Sequence, residues 1–262
     1  MSKTESITLP GWETKISDVG FHKINIRGYR LDDMIRKLSF SEVVYLTIRG
    51  ELPTPEQKRV MDAALCSIVD HGLFTPTSLA ARVITSAAPD TIIPAIAGGM
   101  LTIGSVTASP QDTGKLILYA HEKMTKQNLI KEEVARQIVE EYGTKKKRLP
   151  GIGHPLHPSG DPRAVALKEI AVENGMWSEK SETYEEITKV FSEMVRKPLP
   201  INIDGMLGCV LTELGFAPKE MAGVAAISFM PGIIAHAVEE SANVTLRAVE
   251  CTYTGPPERP LK

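Results

Sequence analysis

The sequence predicts an all-α fold of two helical domains. Three observations carry that prediction. Apolar side chains recur at helical spacing through most of the 262 residues. Helix-start signals, in which Ser, Thr or Asp precedes Pro, Glu or Gln, occur repeatedly. Alternation of the strand type is confined to the first 30 or so residues.

In chain order, "KINIRGYR" alternates apolar and polar side chains until Gly28 breaks it, so the opening reads as irregular or short extended chain. Ser39-Phe40-Ser41-Glu42 has capping-box spacing, and the helix it starts runs to Gly50. Thr54-Pro55-Glu56-Gln57 starts another, with Val60, Met61, Ala64, Leu65, Ile68 and Val69 expected on one face. "TSLAARVITSAA" and "AIAGGMLTIGSVTAS" are rich in small residues, which suit a crowded interior or a subunit interface. Residues 113–143 are amphipathic and charged. Asp161-Pro162 caps a helix expected to stop at Gly175, a polar helix follows over 181–196, and "GMLGCVLTELG" reads as buried. Pro218 starts a long apolar helix punctuated by Pro231, and the proline-rich tail is irregular. The charged middle, 109–222, reads as a small domain inserted between 1–108 and 223–262, the two parts of a larger one.

Composition narrows the function classes. The chain is 42% apolar and 24% charged, ordinary values for a soluble globular protein. Its 30 basic and 32 acidic residues create no overall field for nucleic acid or an anionic membrane. Cys66, Cys209 and Cys251 lack the spacing of a disulfide framework or a zinc site. No apolar run of about 20 residues and no export signal are evident. A cytoplasmic protein with no membrane span is expected.

Four stretches offer chemistry. "LPGIGHPLHPSGDPRA" (149–164) holds four prolines and three glycines, which forbid a regular element, around His154, His157 and Arg163. Its glycines Gly151 and Gly153 allow close approach of backbone to a ligand, and the following helix N-terminus with Arg163 suits an anion. The run Lys145-Lys146-Lys147-Arg148 either meets phosphates or forms a solvated face. His154 and His157 have no further ligand group nearby in sequence, so no metal is expected. In "PLPINIDGMLG", Asp204 sits among apolar neighbours; it either caps a helix or is a base tuned by desolvation. His71 in "DHGLFTPTSLAAR" and His236 in "SFMPGIIAHAVEES" read locally as packed core histidines.

Taken together and in order, these stretches resemble the citrate synthase superfamily. "SFSEVVYLTIRGELPTPEQ" is similar to its F-x-E-V-x-Y-L-L-x-G-E-L-P-T segment, and "DHGLFTPTSLAARV" to D-H-x-x-N-x-S-T-F-A-A-R. "LPGIGHPLHPSGDPRA" resembles M-G-F-G-H-R-V-Y-K-x-x-D-P-R-A, and "INIDGMLG" resembles x-N-V-D-x-x-x-G. The resemblance covers nearly the whole chain, as a short form with a truncated N-terminal region. It implies an all-α fold of a large and a small domain, a homodimer or higher homo-oligomer, and an active site between the domains.

The resemblance also implies residue roles. His154 matches the histidine on the substrate oxygen, and Asp204 matches the base that moves the α-proton of acetyl-CoA. His71, Arg163 and the position of Phe229 match substrate-binding residues. Lys147, Arg148, Gly151, Ile152, Gly153, Pro155 and Leu156 fall on the coenzyme A loop. No metal and no permanently bound cofactor is implied; coenzyme A enters as the thioester substrate. Two departures stand out. Thr107 occupies the place of the histidine that stabilises the enolate; the citryl-CoA lyase module of the related ATP-citrate lyases also lacks that histidine, and its N-V-D-G is nearer to "NIDG". Phe229 replaces an arginine that pairs with a substrate carboxylate, a bidentate contact phenylalanine cannot supply. A carbon–carbon lyase acting on a citryl-CoA-like 3-hydroxyacyl-CoA, releasing acetyl-CoA and a small carbonyl compound, is therefore expected. The alternatives are a citrate synthase-type acyltransferase using a 2-oxo acid and a non-catalytic coenzyme A-binding homologue.

Overall fold

The structure, a computed structural model, describes residues 11–104, 107–145, 147–245 and 252–260. Ser105, Val106, Lys146 and Cys251 lie outside the described residues. The opening segment forms a small antiparallel sheet of β1 (Ser17–Gly20), β2 (Lys23–Ile26) and β3 (Tyr29–Arg30), in that order. Val19 pairs with Ile24, and Ile26 with Tyr29. Arg27 and Gly28 have φ of 50° and 88°, the left-handed pair that a two-residue turn between twisted strands requires.

Eleven helices follow among the described residues. They are α1 (Leu31–Lys37), α2 (Phe40–Arg49), α3 (Pro55–Cys66), α4 (Pro76–Ala87), α5 (Ile93–Leu101) and α6 (Pro110–Gln127), then α7 (Lys131–Thr144), α8 (Pro162–Glu173), α9 (Glu179–Met194), α10 (Ile203–Glu213) and α11 (Pro218–Ala242). The punctuation residues account for most boundaries. Ser39 and Glu42 form the capping box of α2, and Gly50 ends it in the left-handed conformation. Thr54 and Gln57 bond each other's backbone at 3.2 and 2.9 Å to start α3.

Two expectations need correction. The helix begun at Pro55 ends at Cys66, so Ile68 is buried beyond it and Val69 is exposed rather than sharing its face. The helix begun at Pro218 runs straight through Pro231 for 25 residues, although an interior proline removes a donor and crowds the preceding turn. Gly232 recovers a bond outside the helix, donating to the Val69 carbonyl at 3.0 Å. By length and composition α11 is long and apolar enough to cross a membrane, contrary to the expectation of no such run. It packs against α3, α4, α5 and α6, and Met221, Val224, Ala225, Phe229 and Ile233 are in the core. Those contacts make it a central core helix.

The apolar residues form two clusters. The larger joins α2, α3, α8, α10 and α11; the smaller joins α6, α7, α9 and Leu149. Helix α10 serves both, with Leu207 and Val210 in the larger and Cys209 in the smaller. The N-terminus of α10, which carries Asp204, lies where the two clusters meet, Ile201 just before it packing against both.

Candidate functional site

The site is assembled by one buried carboxylate. Asp161 caps α8, accepting from the Arg163 amide at 3.1 Å and from the Arg163 guanidinium at 3.0 and 2.8 Å. Its Oδ2 also accepts from the Ile203 amide, the first residue of α10, at 3.1 Å. Two helix N-termini thus share one anion, as their dipoles favour. Burial opposes charge on Asp161, but the hydrogen bonds and charge of Arg163 outweigh it and hold its pKa below the ordinary value. Arg163 is already committed to this pair, with a side chain 21% exposed.

The proline–glycine loop is pinned along its length to the start of α10. Gly153 donates to Pro200 at 2.8 Å, the Asn202 amide donates to Gly151 at 3.0 Å, and Asn202 Nδ2 donates to Gly153 at 2.8 Å. Ile152 and Ile201 form an antiparallel bridge. From the other side Tyr184 donates its hydroxyl to the Pro150 carbonyl at 2.7 Å. Glycine is required at the crossing point. A Cβ on Gly151 would lie 2.4 Å from Gly205 Cα, and its φ is +76°.

This loop carries His154 against His71. Their Nε2 atoms are 3.2 Å apart, although 83 residues separate them. His154 Nδ1 accepts the Leu156 amide at 3.1 Å, which places the ring proton on Nε2 and makes His71 Nε2 the acceptor. Burial first, and then the nearby positive groups, depress both pKa values: His157 and Arg163 for His154, Arg163 and the other two histidines for His71. Both rings are neutral near pH 7. His157 stacks on His154 with centroids 4.7 Å apart.

This gathering corrects one expectation. His154 and His157 were expected to lack a further ligand group, but the fold brings in His71, and the three offer ligand atoms within 4.8 Å of one another.

Asp204 occupies the first turn of α10 but does not cap it. Asn202 is the cap, its Oδ1 accepting the Gly205 amide at 3.1 Å. That removes the capping alternative. Although Asp204 keeps some surface open, the dense protein around it disfavours its charge and raises its pKa; the Ser109 amide and Arg163 pull the other way, and Asp161 adds to the rise. Arg163 and Asp161 thus act on both Asp204 and His154.

The remaining expected residues fall in three places. Lys147 and Arg148 line a groove of about 590 Å³ with Lys115, Lys145, Tyr119 and Pro150. Pro155 and Leu156 are exposed on the loop. Phe229 is in the larger core cluster, 7% exposed. Thr107 exchanges backbone hydrogen bonds with Gly104 at 3.2 and 2.9 Å. The cap at Asp161 is as expected, whereas its bond to Ile203 and the parts played by Asn202 and Asp70 were not read from the sequence. The N-cap preference for Asn before an apolar helix was the signal available for Asn202.

The citrate synthase C-terminal domain family matches residues 53–249. Citrate synthase 2 of Bacillus subtilis is 30% identical over 218 residues, covering 80% of this chain and 54% of that protein. Citrate synthase of Deinococcus radiodurans is 26% identical over 216 residues, covering 79% and 54%. The chain thus spans about half the length of these curated relatives. Among solved structures, citryl-CoA lyase from Hydrogenobacter thermophilus superposes with a TM-score of 0.85 at 31% identity, over 96% of this chain and 97% of that one. ATP citrate lyase from Methanothrix soehngenii, in complex with citrate and coenzyme A, superposes at 0.79 with 21% identity, over 96% of this chain and 43% of that one, a likeness of fold.

Proposed function

Since the chain belongs to the citrate synthase family, we propose that it is a carbon–carbon lyase acting on a citryl-CoA-like 3-hydroxyacyl-CoA. The products are acetyl-CoA and a carbonyl compound. The observation that carries this reading is the His71–His154 pair, whose His154 stands on a loop pinned to the helix that presents Asp204. The extent of the likeness to a citryl-CoA lyase supports it.

In the cleavage direction, the substrate hydroxyl enters between the two rings, its proton passes to the bare Nε2 of His71, and His154 Nε2–H bonds the same oxygen. The oxygen becomes a carbonyl, and the C–C electron pair leaves as the enolate of acetyl-CoA. Asp204, whose charge is disfavoured by burial, delivers a proton to the enolate carbon. Threonine at 107 offers no imidazole to the enolate oxygen, so backbone N–H groups carry that charge. In the groove that Pro150 shares with the start of the loop, Lys145, Lys147 and Arg148 are the cations proposed to meet coenzyme A phosphates, Lys115 being paired there with Asp112. Phe229, in place of an arginine, favours a carbonyl partner with less charge.

A second reading, a citrate synthase-type acyltransferase, is favoured by the curated relatives. Either enzyme is proposed to act as a homodimer through α4, α5 and α11, whose mutually packed helices expose Leu79, Val83, Ile93, Leu101, Ile234 and Val238. Incubating the protein with acetyl-CoA and a panel of 2-oxo acids and aldehydes, with mass detection, separates the readings. A new 3-hydroxyacyl-CoA supports the lyase run in reverse; a free hydroxy acid with free coenzyme A supports the acyltransferase.

A further inference from the structure

We propose that His71, His154 and His157 form a chelating site for a divalent transition-metal ion of imidazole preference, Zn²⁺ foremost, whose occupation blocks the His71–His154 pair. The geometry is that of a ligand set rather than of a chance cluster. Zn–N bonds of about 2.0–2.1 Å at a tetrahedral angle place neighbouring ligand nitrogens about 3.3 Å apart. His71 Nε2 and His154 Nε2 are 3.2 Å apart. The third imidazole is on the same side, with the three ligand atoms within 4.8 Å of one another. His157 sits between exposed Leu156 and Pro158, where a side-chain rotation closes the remaining gap.

Each ring can meet the metal's protonation requirement. His71 already presents a bare Nε2. For His154, the proton moves from Nε2 to Nδ1 through solvent, and the Leu156 amide, on an exposed residue, turns to water. Three imidazoles and one water complete a tetrahedron. The metal then holds both Nε2 atoms that meet the substrate hydroxyl in the proposed reaction. Only this blocking half rests on the catalytic reading.

The test titrates chelator-stripped protein with Co²⁺, followed by its visible ligand-field band, and then displaces it with Zn²⁺. One Co²⁺ per chain is expected, with affinity at least tenfold weaker in His157→Gln and unchanged in His22→Gln, which alters a histidine of the N-terminal hairpin. Absence of one-to-one binding, or equal affinity in wild type and His157→Gln, would overturn the site. Turnover supplies the second arm. Zn²⁺ should inhibit wild type at concentrations at least tenfold below those needed for His157→Gln, each protein being measured against its own metal-free turnover. Full turnover with Zn²⁺ bound would overturn the blocking half. Absence of turnover in metal-free protein would count against the catalytic reading and leave the binding result standing.

Discussion

His236 donates from Nε2 to Asp70 Oδ1 at 3.1 Å, across 166 residues of sequence, while Arg82 Nε holds its Nδ1 at 3.2 Å. Arg82 in turn pairs with buried Glu240 at 3.1 Å. The chain of bonds fixes the Asp70 carboxylate, whose Oδ2 accepts the Gly72 amide at 3.1 Å and so sets the turn that carries His71. Asp70→Asn keeps the shape but loses the charge. We expect turnover to fall about tenfold to a hundredfold, the scale of a small misplacement of a reacting group. The KM for the acyl-CoA should change little. Steady-state kinetics with unaltered kcat would show that this chain does not position His71.

Replacement of Asp204 separates chemistry from stability. Asp204→Asn should lower turnover by about a hundredfold or more and at the same time make the fold more stable at neutral pH. The sign follows from the raised native pKa: ionising Asp204 opposes folding, so this one group's contribution to stability is fullest at low pH and is lost as pH rises through the native value. The advantage of the asparagine variant therefore opens above the ordinary Asp value of 3.8 and levels off beyond the native one. Thermal melts of both proteins from pH 4 to 8 measure it. A constant difference across that range would contradict the assigned burial.

Gly151→Ala tests the crossing of loop and helix. The new Cβ would lie 2.4 Å from Gly205 Cα and 2.5 Å from Thr113 Oγ1, at a left-handed φ. Backbone cannot yield cheaply there, so a loss of about 1–3 kcal/mol is expected from overpacking alone. Chemical denaturation reads it directly. Gly160→Ala, on the same loop but with nothing near its Cβ, should be milder.

Phe229→Arg replaces a core side chain by a guanidinium. At 7% exposure, the charge would lie buried, and a loss of about 3 kcal/mol or more is expected unless a carboxylate substrate pairs with it. A melting temperature recovered by adding a tricarboxylate would place position 229 against the substrate. A variant as stable as wild type without ligand would contradict the packing described.

Assembly is read by light scattering. A dimer at micromolar concentration is expected, with Leu79→Glu or Leu101→Glu shifting it toward monomer. A stable, active wild-type monomer would exclude the proposed interface.

Local punctuation made much of the fold legible. Thr54-Pro55-Gln57 and Asp161-Pro162 act within one turn, and the helices start where they indicate. The persistence of α11 through Pro231 was not legible, because the compensating bond from Gly232 ends on Val69, far away in sequence. The same physics divides the site. The apolar neighbours of Asp204 left a cap and a desolvated carboxylate both open, and the cap is Asn202. The meeting of His71 with His154 depends on how α3 packs against α8, α10 and α11, which no local spacing records.

The central claim, carbon–carbon cleavage without thioester hydrolysis, is tested most directly by product analysis of a single reaction. The purified protein is incubated with citryl-CoA, and acetyl-CoA, free coenzyme A, oxaloacetate and citrate are quantified over the first turnovers. We predict slow turnover, as Phe229 implies, that gives acetyl-CoA and oxaloacetate in equal amounts, with little free coenzyme A or citrate, and loss of both products in Asp204→Asn and His154→Ala. Rapid formation of citrate and free coenzyme A would contradict the lyase reading and identify hydrolysis of the thioester as the enzyme's work.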